Sequence, residues 1–191
     1  KITAKKAGKA TITAKANGKT RKCVVTVKKV PAYVKAYKKL LSKSTIGTRK
    51  WPASQCSFAF AYIDNNSVPE LVIQSYWSGS MFGYYEIYTY RNGKARRIDV
   101  NLGVSFEYYK KTGVLSDSYW YTHPQGGPGS RTTYYKLKNG KITATLSKVK
   151  LEPNEMYNRE KTVYNYNLNS KSIKKSKYNT QLKKLTGSKK A

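Results

Sequence analysis

A β-rich α+β fold is what the sequence predicts: an antiparallel β-meander with a helix at each end, preceded by a separate hairpin segment. Three observations predict it. Apolar residues recur at every second position over much of the chain. Asn-Gly pairs at 17–18, 92–93 and 139–140 punctuate those runs, and Asn-Gly is the preferred two-residue hairpin turn. Two segments, one after Pro31 and one after Ser176, change to the helical period.

Each element follows in order. In 9–27, Ala10, Ile12, Ala14 and Ala16 share one face, Asn17-Gly18 turns the chain, and Cys23, Val25 and Val27 return on one face. After Pro31, Tyr33, Ala36, Tyr37, Leu40 and Leu41 line one side of a helix, with Lys35, Lys38, Lys39 and Lys43 opposite. From Cys56, the residues Phe58, Phe60 and Tyr62 alternate with Ala59, Ala61 and Ile63. Both faces are apolar, which predicts a central strand. Strands are expected at 70–76 and 83–91, then at 94–100 after Asn92-Gly93. A strand at 104–109 and a short one at 114–116 follow. Beyond a long loop come 130–138 and, after Asn139-Gly140, 141–149; a last pair spans 162–168 and 171–173. Ser176 is expected to cap the final helix. Tyr178, Leu182 and Leu185 line its inner face, and Gly187 ends it. The main domain thus holds roughly seven to nine strands.

The chain has 191 residues, with 38 Lys+Arg against 9 Asp+Glu and a net charge of +29. Residues 1–30 and 170–191 carry ten and eight basic residues and no acid, so positive charge gathers at the two ends. Such a surface attracts polyanions: nucleic acid, an anionic membrane or the anionic polymers of a bacterial cell wall. There are 31 Lys and only 7 Arg. Lys gives diffuse, salt-sensitive attraction, whereas phosphate and base recognition favours the planar Arg fork. Nucleic-acid binding, if it occurs, is therefore expected to be non-specific. No run of about 18 apolar residues exists, so no membrane span is expected. No charged-then-apolar leader opens the chain, so any export signal is expected to lie upstream or to have been removed. One His and two Cys cannot build a His/Cys metal cage.

Residues 1–28 resemble the C-terminal third of a bacterial Ig-like domain of group 2. The resemblance is carried by Ala7-Gly8-Lys9-Ala10-Thr11-Ile12-Thr13-Ala14 and Cys23-Val24-Val25-Thr26-Val27. It implies a secreted or surface setting beside adhesive or wall-binding parts, a buried lone Cys at Cys23, and no catalytic residues. The hairpin is then an incomplete Ig-like segment, since a whole module is a sandwich of about seven strands. Residues 56–100 and 130–186 are similar to uncharacterised C-terminal domains of exported Gram-positive bacterial proteins. The carriers are Ala61–Leu71, Tyr88-Thr89-Tyr90-Arg91-Asn92-Gly93-Lys94, Tyr134–Lys141 and Tyr178–Leu185. The domains expected are 1–30, the Ig-like part; 31–187, a β-rich domain; and 188–191, a basic tail.

Candidate sites are few. Asp64, Asn66 and Glu70 fall near the alternating oxygens of a calcium loop, but the required Gly is Ser67 and the first acid is Tyr62. A tight turn with Asp and Asn bonding their own backbone explains the pattern better, so no metal and no cofactor are expected. His123, in a loop rich in Gly and Pro, is read as an exposed surface residue and not as the partner of Cys56 or Asp117. Cys23 and Cys56 are read as unpaired thiols, although an oxidising compartment would permit a bond. Trp51, Trp77 and Trp120 are the candidate aromatic patch for stacking on sugar faces, against the plain preference of aromatics for strands. No catalytic residue is assigned. The function expected is a secreted or cell-surface binding or adhesion module for an anionic wall polymer, a glycan or a host protein. The rival is an enzyme acting on wall or glycan, for which Glu70, Glu86 and Glu107 are the candidate carboxylates.

Overall fold

The computed structural model describes residues 3, 5–76, 83–100, 102, 106–123 and 127–187. Residues 8–27 form a hairpin of β1 (Gly8–Ala16) and β2 (Lys19–Val27). Its register pairs Ile12 with Cys23 and Ala10 with Val25, so the apolar face is the one the alternation predicts. Asn17 and Gly18 both have positive φ, 49° and 71°, as a type I′ turn requires. This face is covered only in part: Ile12 is 36% exposed, Val25 and Val27 are half-buried, and Cys23, expected to be buried, is exposed and free. Ala at three of the four inward positions of β1 gives the strand too little apolar surface to hold a neighbour.

The main domain has the expected β-rich α+β class, and its meander divides into two antiparallel sheets. The first joins β5 (Cys56–Ala61), β6 (Glu70–Tyr76), β7 (Gly83–Arg91) and β8 (Lys94–Arg97) in chain order. The second joins β9 (Phe106–Tyr109), β10 (Val114–His123), β11 (Gly127–Lys138), β12 (Lys141–Leu151), β13 (Val163–Leu168) and β14 (Lys171–Ser172), again in chain order. A two-residue pair, β3 (Thr45–Ile46) and β4 (Trp51–Pro52), precedes them.

Three apolar clusters stack these parts into four layers. Helix α1 (Ala32–Leu41) buries Tyr37 with Leu71, Ile73 and Tyr88 on the outer face of the first sheet. The inner face of that sheet, Val72, Ile87 and Ile98, meets Leu115 and Leu137 of the second. Helix α2 (Lys175–Thr186) lays Tyr178, Leu182 and Leu185 on the far face, over Val114, Tyr134 and Leu146. Ile63, Leu71, Ile87, Val114, Leu115 and Leu146 are wholly buried. Each such side chain contributes about 1.5–3 kcal/mol relative to exposure.

Four sequence expectations change. The strand from Cys56 is an edge, not a centre; Phe58 and Phe60 are 57% and 48% exposed, because β5 has a neighbour on one side only. Phe60 packs against Tyr37, with ring centroids 5.9 Å apart, so its apolar character serves α1. The short strand expected at 114–116 runs on to residue 123, so residue 123 ends a strand instead of sitting in a loop. Its ladder with Gly127–Lys138 reaches Thr122, which faces Pro128. Finally, α2 starts at Lys175 with no side-chain cap, so Ser176 lies inside the helix.

The β9–β10 loop locks the sheets together. Lys111 N donates to Tyr62 O (2.8 Å) and Gly113 N to Ile63 O (2.7 Å), while Gly113 O accepts from Leu137 N (2.6 Å). Gly113 has φ +72°, and a Cβ there would lie 2.3 Å from Leu137 O. Gly93, at φ +74°, has open space around it. Gly113→Ala is therefore expected to lower the unfolding free energy by about 3 kcal/mol or more. Gly93→Ala should cost about 1 kcal/mol, the ordinary left-handed penalty. Urea denaturation checks this, and equal losses at the two sites would contradict it.

Candidate functional site

The Asp64–Glu70 loop is built as a turn. Asp64 Oδ1 accepts from Asn66 N (3.0 Å) and Asn66 Oδ1 from Val68 N (2.6 Å). Glu70, wholly buried on β6, takes Ile63 N on Oε2 (3.1 Å) and Thr89 Oγ1 on Oε1 (3.4 Å). A cavity of about 350 Å³ opens beside Asp64 and Asn66, but Lys136 and Lys138 form part of its wall and oppose a cation there. No group of three or more His, Cys, Asp or Glu is arranged to hold a metal ion among the described residues.

Burial, then the charge of Asp64, pushes the Glu70 carboxyl up to about 7. Glu86 goes the other way. Burial works to raise it, but hydrogen bonds from Thr48 Oγ1 (2.6 Å), Tyr88 Oη (2.6 Å) and Thr48 N (2.9 Å) hold it below the usual carboxylate range. Glu70 shares the inner face with Val72 and Thr89, while Glu86 sits on the outer face with Tyr88. The two are on opposite sides of one sheet and cannot flank a bond. Glu107 is exposed on β9.

The backbone also separates the other catalytic candidates. Residue 123 lies six positions from Asp117 on one strand, about 20 Å at the usual rise per residue. Asp117 is buried. Cys56 donates its thiol to Pro52 O (3.5 Å), and burial, with the charge of Glu86, pushes that thiol up, away from thiolate reactivity. Both cysteines are free thiols.

The aromatic candidates divide. Trp77 lies outside the described residues. Trp51 stacks on Tyr84 (centroids 6.1 Å apart, planes 22°), and Arg49 covers the same Tyr84 ring at 4.0 Å, so this indole is half-buried in an intramolecular stack. Trp120 differs: it is 73% exposed in the middle of a ladder. The register aligns Trp120, Ser130, Lys150 and Tyr164 across β10, β11, β12 and β13. Three strand spacings separate its ends by about 14 Å. The next row, Ser118, Thr132, Lys148 and Tyr166, shares the face, and Ser118 Oγ bonds Thr132 Oγ1 (3.0 Å).

Cations and rings interleave here. Lys148 Nζ lies 4.7 Å from the centroid of Tyr164, and Lys150 Nζ lies 6.0 Å from that of Trp120. Lys150 also pairs with Glu152 (2.6 Å), whose carboxylate holds the ammonium above the usual Lys range. Tyr164 stacks on Tyr166 at 6.4 Å, and Tyr166 meets Tyr178 of α2 at 4.9 Å, so the row starts where the helix stops covering the sheet. Lys150 and Tyr164 were missing from the sequence candidates, because only strand register puts them beside Trp120.

Comparison with protein-family models, with curated proteins and with solved structures finds no match. No helix among the described residues is long and apolar enough to cross a membrane.

The raised Glu70 group makes a pH prediction. Its folded value lies above the unfolded one, so its stabilising contribution is full below about 4.5 and lost as pH rises through about 7. Wild type minus Glu70→Gln, measured by urea denaturation from pH 4.5 to 8, should fall by about 3 kcal/mol. A flat difference would contradict a raised carboxyl.

Proposed function

We propose that this chain is a non-enzymatic binding module of a secreted or cell-surface bacterial protein, and that the Trp120 row engages an anionic glycan. The observation that carries the reading is the 73% exposure of Trp120 in register with Lys150 and Tyr164. An exposed indole on a β-ladder offers its negative π face to the weakly positive C–H groups of a sugar ring. The ladder is preorganised, so little ordering is lost on binding. Lys148 supplies charge for a sugar carboxylate, Lys150 adds to it on leaving its pair with Glu152, and Ser118, Ser130 and Thr132 offer hydroxyls for hydrogen bonds. The row contains no Arg, the side chain that phosphates and nucleic acid bases favour, which supports a sugar over a nucleic acid. The surface setting rests on the Ig-like resemblance of residues 1–28. The carboxylate geometry speaks against a hydrolase, since Glu70 and Glu86 face opposite ways.

Titration calorimetry with a uronic-acid oligosaccharide tests the proposal. Trp120→Ala should weaken binding about tenfold, roughly 1.4 kcal/mol, and leave the melting temperature unchanged because the side chain is exposed. Tyr164→Ala should act in the same direction. Unchanged affinity in both variants would overturn the reading. Tighter binding of single-stranded DNA, lost on the same substitutions, would assign the row to nucleic acid instead.

A further inference from the structure

A second surface has different chemistry. Three of the chain's seven Arg, Arg91, Arg96 and Arg97, line one cavity of about 400 Å³ with Lys141. The cavity forms where the Asn139-Gly140 turn of the second sheet docks on the β7–β8 hairpin of the first. Arg91 Nη1 donates to Asn139 O (2.8 Å), and a Cβ on Gly140 would lie 2.7 Å from Thr89 Cγ2. The register pairs Arg96 with Thr89 and Arg97 with Tyr88, so the two stems leave the end of edge strand β8 on opposite faces and both border the cavity at that end. Asp99 is the one acid on the wall, and its pair with Arg97 (3.2 Å) is open to water, with 98% of the Asp99 side chain exposed. Exposed pairs of this kind hold weakly and yield to a better anion. Arg96 makes no hydrogen bond or ion pair among the described residues.

We propose that this cavity is a binding site for a phosphoryl group, of the kind carried by a phosphate-containing polymer or by free polyphosphate. Arg forks match tetrahedral oxyanions with paired N–H donors, whereas the Lys-rich surface elsewhere supplies only point charges. Four cations and one carboxylate line the cavity, and even with Glu86 acting on Arg97 the balance stays positive, which favours an anion. The fixed turn holds Arg91 in place, which reduces the ordering needed on binding. The proposal stands apart from the Trp120 row, shares no residue with it and takes a different ligand.

The test is titration calorimetry of the full chain with sodium tripolyphosphate. One site per chain is expected. Arg96→Gln should weaken binding at least tenfold, and Arg96→Lys should recover only part of the loss, because a point charge lacks the fork. Trp120→Ala should bind as wild type does. Arg91 is avoided as the primary variant, since it also secures the turn. Wild-type affinity in Arg96→Gln would overturn the proposal. An equal loss in Lys177→Gln, on exposed α2, would also overturn it, by showing diffuse attraction. Competition then separates the sources: a glycerol-phosphate oligomer outcompeting orthophosphate marks a polymer, and equal competition marks the free anion.

Discussion

The main domain depends on one three-residue connection, Ile63–Gly113–Leu137. Gly113 donates to the end of the first sheet and accepts from the second, through bonds of 2.7 and 2.6 Å. Its left-handed backbone and the absence of a Cβ let Leu137 O approach where any side chain would stand. Around this point lie Ile63, Leu115 and Leu137, all nearly or fully buried. Ile63 N in turn bonds the buried Glu70 carboxylate, so a polar group that would be costly alone is satisfied by the strand end it supports. The Arg91–Asn139 contact is a second, more exposed tie between the same sheets.

From this arrangement follow the positions of both proposed surfaces. Docking the sheets through Leu137 brings the Asn139-Gly140 turn onto Thr89 and forms the open Arg-lined cavity. It also commits the inner face of the second sheet to the core, so α2 and the Trp120 row share the outer one. Tyr178, Tyr166 and Tyr164 run in sequence from beneath α2 to its open side, joining buried core to exposed row without a break. The row inherits rigidity from a ladder that is ten to twelve residues long in β10, β11 and β12.

Much of the fold was legible in the residues. All three Asn-Gly pairs turn hairpins with positive φ at both positions. The helix faces built on Tyr37 and Tyr178 are the buried ones. Alternation, however, states which residues share a face and not which sheet a strand joins, so the division between β8 and β9 was invisible. Phe58 and Phe60 gave a false centre because one packs on a helix and the other on its neighbour's ring. The Pro and Gly residues after Thr122 hid the extent of the ladder, since Pro128 lacks an N–H donor yet stands at the start of its strand, where that lack is tolerated. Of the site, Trp120 was visible and its partners were not. Lys150 and Tyr164 lie 30 and 44 positions away and are joined to it by register alone.

Native-state hydrogen exchange tests the central claim most directly, that the two sheets are one cooperative unit held at Gly113. The amides of Leu71 on β6, Leu146 on β12, and Gly113 and Leu137 between them should exchange with one free energy, equal to that of global unfolding. The hairpin of β1 and β2, with its exposed residues, should exchange at much lower cost. If Leu71 opens at a clearly lower free energy than Leu146, the sheets unfold separately and the connection through Gly113 does not hold them together.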